Sequence, residues 1–142
     1  MKSRCDKAAF MKGFKLSSVV LIAVVILGSC SPKKSVEEEN VLASLSNIQQ
    51  SLENDISYER FIELLAQTKI EIDRLRINSK NNQCFIGAVD KCYAYYATGG
   101  RAWKQKLTTT NENRKQDMDL TLSVLQSRAA LSIQMADKCY KN

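Results

Sequence analysis

The stretch YERFIELLAQTKIEIDRLRIN, residues 58–78, decides the fold class. Tyr58, Phe61, Leu65, Thr68, Ile72 and Leu75 recur every three or four residues, with Ile62 widening the set. That period puts them on one face of a helix. Glu59, Glu63, Glu71 and Asp73 alternate with Arg60, Lys69, Arg74 and Arg76 on the remaining surface. An apolar stripe opposite a charged face marks a helix that buries one side only. Ser57 stands in front of it as a candidate N-cap.

The same period continues in both directions. Upstream, Val41, Leu45, Ile48 and Leu52 predict a helix from about Val36 to Asn54, with Glu37, Glu38 and Glu39 in the first turn, where the helix dipole favours anions. Downstream, a third helix begins near Asn82 and carries Cys84, Phe85, Ala88, Val89, Cys92, Tyr93 and Tyr96. Gly99-Gly100 interrupts it, and each glycine costs about 1 kcal/mol relative to alanine in a helix interior. Tyr96, Trp103 and Leu107 keep helical spacing across the pair, so the helix is read as continuing. Thr108–Asn113 reads as a loop. The fourth helix runs from about Glu112 to Lys138, with Met118, Leu122, Leu125, Ala129, Ser132 or Ile133, and Ala136 as its stripe. Leu120, Leu131 and Met135 are expected to widen that stripe. Four helices with short links predict an all-α, antiparallel up-down four-helix bundle over residues 37–142. The chain's one proline is Pro32, so the punctuation of a β protein is missing.

A different pattern precedes the bundle. Leu16–Gly28 is an uncharged run of 13 residues, behind Lys2, Arg4, Lys7, Lys12 and Lys15. It falls short of the roughly 20 apolar residues needed to span a bilayer and has the length of a secretory h-region. Leu27-Gly28-Ser29-Cys30 at its end resembles the lipobox of bacterial lipoproteins. The resemblance implies cleavage before Cys30, diacylation of the Cys30 thiol and acylation of the new amino terminus. Residues 1–29 would then be a cleaved signal and 30–36 a lipidated tether. Met11-Lys12-Gly13-Phe14-Lys15 offers an alternative start with a compact basic n-region. By the same resemblance, Ser31 after the lipidated cysteine implies the outer membrane, with the periplasmic face as default.

The formal charge of +6 is largely a property of the leader. From Cys30 onward the chain carries 16 basic and 14 acidic residues. The usual inference from a basic chain to nucleic acid therefore has no basis, and no nucleic-acid partner is expected. Residues 30–79 are net acidic and residues 80–142 net basic. The two halves attract if they pack together, and such asymmetry also suits a partner surface.

Outside the cytoplasm cysteines tend to pair. With Cys30 taken by lipid, Cys84, Cys92 and Cys139 remain, which allows one intramolecular bridge and one thiol. Cys84 and Cys92 are about 12 Å apart along one helix, beyond disulfide reach. If the third helix runs unbroken to Leu107, antiparallel packing sets Cys84 almost level with Cys139, and that pair is expected. If it stops at Gly99, Cys92–Cys139 becomes the alternative.

The chain has no histidine. That removes the commonest general base and metal ligand and excludes Ser-His-Asp and Cys-His catalysis. No CxxC pair, phosphate loop or GxSxG pattern occurs. Glu59 with Glu63, and Asp55 with Glu59, are carboxylate pairs of the kind surface helices carry routinely, and Asp117 and Asp119 sit where a helix dipole explains them. No catalytic residue, metal or cofactor is expected. The most distinctive polar group is Tyr93, Tyr95, Tyr96 and Trp103 with Arg101 beside the glycine pair. Tyr and Trp give interfaces apolar area with a polar handle. The expected function is a non-enzymatic, membrane-tethered envelope protein that binds another envelope component. The alternative is a small-ligand bundle with a pocket near Tyr96 and Trp103.

Overall fold

The computed structural model describes residues 34–78 and 82–140, which form four helices and no strand. They are α1 (Val36–Glu53), α2 (Tyr58–Asn78), α3 (Gln83–Thr108) and α4 (Glu112–Lys138). Residues 1–33, including Leu27-Gly28-Ser29-Cys30, lie outside the described part.

Each helix starts on a side chain suited to the task. Ser35 accepts from the Glu38 amide at 3.2 Å, while the Glu38 carboxylate accepts from the Ser35 amide at 2.7 Å, a reciprocal capping box. Lys34 and Ser35, read as tether, therefore belong to the folded part. Ser57 accepts from the Arg60 amide, Asn82 from Phe85 and Asn111 from Arg114, so each loop ends in an oxygen for an otherwise orphaned N–H.

The links are short and the helices alternate in direction. Cys84 at the start of α3 is bonded to Cys139 after α4, and Lys106 near the end of α3 pairs with Asp119 near the start of α4. Arg76 at the end of α2 reaches Asp90 early in α3 at 2.6 Å. Asn78 donates to Glu37 across α1 and α2 at 3.5 Å, and Lys34 pairs with Asp137. Neighbours along the chain are thus antiparallel, and α1 also runs antiparallel to α4. The bundle is uneven: the α3–α4 and α1–α2 pairs are the extensive ones, α4 touches α1 lightly, and the backbones of α2 and α4 make no close approach. At 1.5 Å per residue α3 and α4 are about 40 Å long and α1 about 27 Å, so the α3–α4 hairpin overhangs α1.

Val41, Leu45, Ile48, Leu75, Phe85, Val89 and Cys92 are fully buried, with Phe61, Leu64 and Ile72 nearly so. On α2 the inward face is Phe61, Leu64, Thr68, Ile72 and Leu75. Leu64 takes the core position expected of Leu65, which is half-buried, and Ile62 lies at the exposed margin. α3 is unbroken through Gly99-Gly100, and both glycines are buried. A Cβ on Gly100 would stand 3.0 Å from Phe61 Cε1, so the glycine admits the α2 ring against the α3 backbone.

The largest departure from the expected core is on α4. Its buried residues are all small: Ala129, Ser132 and Ala136. Met118, Leu122 and Leu125 are half-buried. Leu120, Leu131 and Met135 do not widen the core stripe; they are 69%, 58% and 52% exposed on the outward side. Small residues face α3 because the two helices approach closely, with Cys92 Sγ 3.4 Å from the Ala129 carbonyl oxygen.

Candidate functional site

The end of the bundle nearest residue 34 is held by several contacts at once. Cys84 and Cys139 are disulfide-bonded with Cα atoms 5.8 Å apart, across a sequence separation of 55. This is the pair expected for an unbroken α3. Tyr140 follows immediately and packs its ring edge-on to Phe85, with centroids 5.4 Å apart. Lys34 Nζ lies 5.4 Å over the Tyr140 ring while pairing with Asp137. The chain thus enters α1 against the C-terminal end of α4. Burial, and then the Glu38 carboxylate, push the Tyr140 hydroxyl above its ordinary range.

Cys92 is the unpaired cysteine of the described residues. Burial pushes its thiol up to about 12, so the reactive thiolate is disfavoured. Cys92 lies fully buried in the core, where its thiol donates to the Ala129 carbonyl oxygen at 3.4 Å.

The aromatic residues singled out on α3 are not gathered into one exposed patch. Tyr96 is 3% exposed. Tyr93, Tyr95 and Trp103 are half-buried against the core, and Arg101 is exposed, donating to Thr98 Oγ1 at 3.0 Å. Trp103 packs on two α2 rings, 5.7 Å from Tyr58 and 5.5 Å from Phe61. The space bordered by Trp103, Tyr95, Phe61 and Leu122 is nearly filled, at about 10 Å³.

An open groove lies between α1 and α4, beside Tyr96. It measures about 230 Å³ and is lined by Gln49, Leu52, Glu53, Tyr96, Gln126 and Ala130, with Ser127 at its edge. The Tyr96 hydroxyl is buried without a hydrogen-bond partner, a costly state for a polar group in a folded interior. Burial is the main cause of its raised pKa, with Cys92 and Glu53 adding to it. Spacing on α3 pointed to Tyr96, but the groove itself depends on the light α1–α4 contact, which no local pattern records.

Among the described residues no three His, Cys, Asp or Glu side chains converge as a metal site, and no helix is long and apolar enough to cross a membrane. The carboxylates have ordinary partners: Arg60 bonds Glu63 at 2.9 Å, Lys69 bonds Asp73 at 2.5 Å, and Lys106 pairs with Asp119. No protein-family model, curated protein or solved structure matches the chain.

Proposed function

We propose that this chain is a lipid-anchored protein of a bacterial envelope whose helical bundle is a non-enzymatic binding module. The observation that carries the reading is Leu27-Gly28-Ser29-Cys30 at the end of a 13-residue apolar run behind a basic leader. The acyl chains on Cys30 would hold the protein to the outer membrane, on its periplasmic face. The Cys84–Cys139 bond suits a compartment that keeps disulfides oxidised. The capping box at Ser35 starts the bundle within a few residues of Cys30, which suits a domain held close to its membrane. The partner class is another envelope protein.

Two variants test this in the native cell. Cys30→Ser should release the bundle from the membrane fraction. Crosslinking of the unaltered protein in its own cells should capture one dominant envelope partner. Tyr95→Ala/Arg101→Ala, run beside it, reports whether the α3 side carries the contact. A Cys30→Ser protein that stays in the membrane fraction sinks the anchoring claim.

One observation favours a second reading, a small-ligand bundle. The α1–α4 groove is lined by Gln49, Leu52, Glu53, Tyr96, Gln126 and Ala130, and the Tyr96 hydroxyl is buried without a hydrogen-bond partner. That set suits a small polar molecule with an amine or hydroxyl group. A ligand there would raise the melting temperature, and Tyr96→Phe would reduce that rise.

A further inference from the structure

α4 is apolar on two sides. Its inner side holds Ala129, Ser132 and Ala136. On its outer side Leu120, Val124, Leu131 and Met135 are 69%, 42%, 58% and 52% exposed. At 100° per residue these four fall within an arc of about 60° and extend over about 22 Å of helix. Single exposed apolar residues need no explanation, but two apolar pairs within one arc, separated by Ser127 and Arg128, do. One flank of the stripe is uncharged, with Gln116, Ser123, Ser127 and Gln134, and the other carries Asp117, Thr121 and Arg128.

The order of residues along the stripe identifies what covers it. Set α4 antiparallel to a second α4 so that Leu120 meets Met135 of the second copy. Val124 then falls against Leu131 of the second copy, and Asp117 against Lys138 of the second copy. The two-fold axis passes between Ser127 and Arg128. The Leu120–Met135 and Val124–Leu131 layers pair apolar with apolar and the Asp117–Lys138 layer pairs acid with base, each occurring twice, while Ser127 and Arg128 occupy the layer at the axis. That self-complementarity is what an isologous interface requires. A foreign helix would need no such symmetry about the middle of α4. Met135 also borders a shallow groove beside Gly87, Ala88 and Lys91, which gives Leu120 of the second copy room to seat. The one opposing contact is Arg128 with its own copy at the axis.

We infer that the outer stripe of α4 is a homodimer interface, formed by antiparallel pairing with a second copy of this chain. A single two-helix seam lies at the small end of specific interfaces, so the pairing is reversible. Confinement to a membrane surface would raise the effective concentration and favour it. The inference is independent of the lipid anchor.

The test uses the full chain purified in detergent, with sedimentation equilibrium giving the dimer dissociation constant. Leu131→Arg should weaken dimerisation by about a hundredfold and Asp117→Lys by about tenfold. Asp117→Lys/Lys138→Asp should recover most of the loss, because only that pairing restores acid against base at both ends. Arg128→Ala should tighten the dimer. Ser127→Cys, close to the axis, should add a bismaleimide-linked dimer absent from the parent chain, while the exposed α3 variant Lys104→Cys should not. A monomeric wild type, or a dimer that Leu131→Arg leaves intact, overturns the proposal. So does a double charge variant no tighter than Asp117→Lys.

Discussion

Gly100 on α3 stands where a Cβ would meet Phe61 Cε1 of α2 at 3.0 Å, while a Cβ on Gly87 of the same helix would meet nothing within 4 Å. The two glycines therefore predict opposite results. Gly87→Ala removes the helix-interior cost of glycine and should stabilise by about 1 kcal/mol. Gly100→Ala gains the same propensity but presses on a ring that is 2% exposed and packed against Trp103. Overpacking of that kind costs about 1–3 kcal/mol, so a net loss of about 1 kcal/mol is expected. Urea unfolding followed by circular dichroism compares the pair directly.

The Cys84–Cys139 bond closes a long loop between α3 and the end of α4. Constraint of the unfolded chain by a loop of this size contributes about 4 kcal/mol in the chain-entropy model. Cys84→Ser/Cys139→Ser should lose an amount of that order, and dithiothreitol should reproduce it in the wild type but leave the double variant unchanged. A smaller loss would point to strain or residual structure offsetting the entropy.

Burial of Cys92 gives a pH dependence of definite sign. Its folded pKa is raised from 9.0 to about 12. The folded protein therefore holds a proton that the unfolded chain gives up first. Its contribution is complete below about pH 9 and is lost as pH rises toward 12. The raised hydroxyls of Tyr96 and Tyr140 act in the same direction above pH 10. Stability measured from pH 8 to 11 should fall, and Cys92→Ala should flatten the slope between 9 and 10. At pH 8 the Cys92 thiol should resist iodoacetamide in the native state and react once unfolded.

Tyr96→Phe deletes a hydroxyl that is buried with no hydrogen-bond partner. Removing an unsatisfied group costs nothing and relieves its desolvation, so the variant should be as stable as the wild type or more stable by about 1 kcal/mol. A marked destabilisation would mean that the hydroxyl has a partner in solution.

The helix count, the continuity of α3 and the Cys84–Cys139 pairing were all legible in the sequence, because each follows from spacing along a regular helix. The α4 core was legible only in part. Periodicity marks the inward stripe through Ala129, Ser132 and Ala136, but it does not say how far that stripe widens, and Leu120, Leu131 and Met135 lie outside it. The answer depends on how closely α3 and α4 approach. Cys92 against Ala129 and the bond at Cys139 draw the helices together, so the small residues go inside and Leu120, Leu131 and Met135 go out. Leu64 displaced Leu65 on α2 for a related reason, since adjacent leucines differ by only 100° and the neighbouring helix decides between them. The Ser35–Glu38 capping box is written in the sequence as Ser-x-x-Glu, at the edge of a stretch whose polar composition reads as tether. The α1–α4 groove left no local trace, because it depends on the light contact between two helices far apart in the chain.

The most direct measurement of the central claim is the intact mass of the protein isolated from its own cells. A lipid-anchored envelope protein predicts a polypeptide that begins at Cys30 and carries acyl chains on its amino terminus and on a thiol-linked glyceride, with the modification absent from Cys30→Ser. A chain that retains residues 1–29, or that begins elsewhere without lipid, would contradict it.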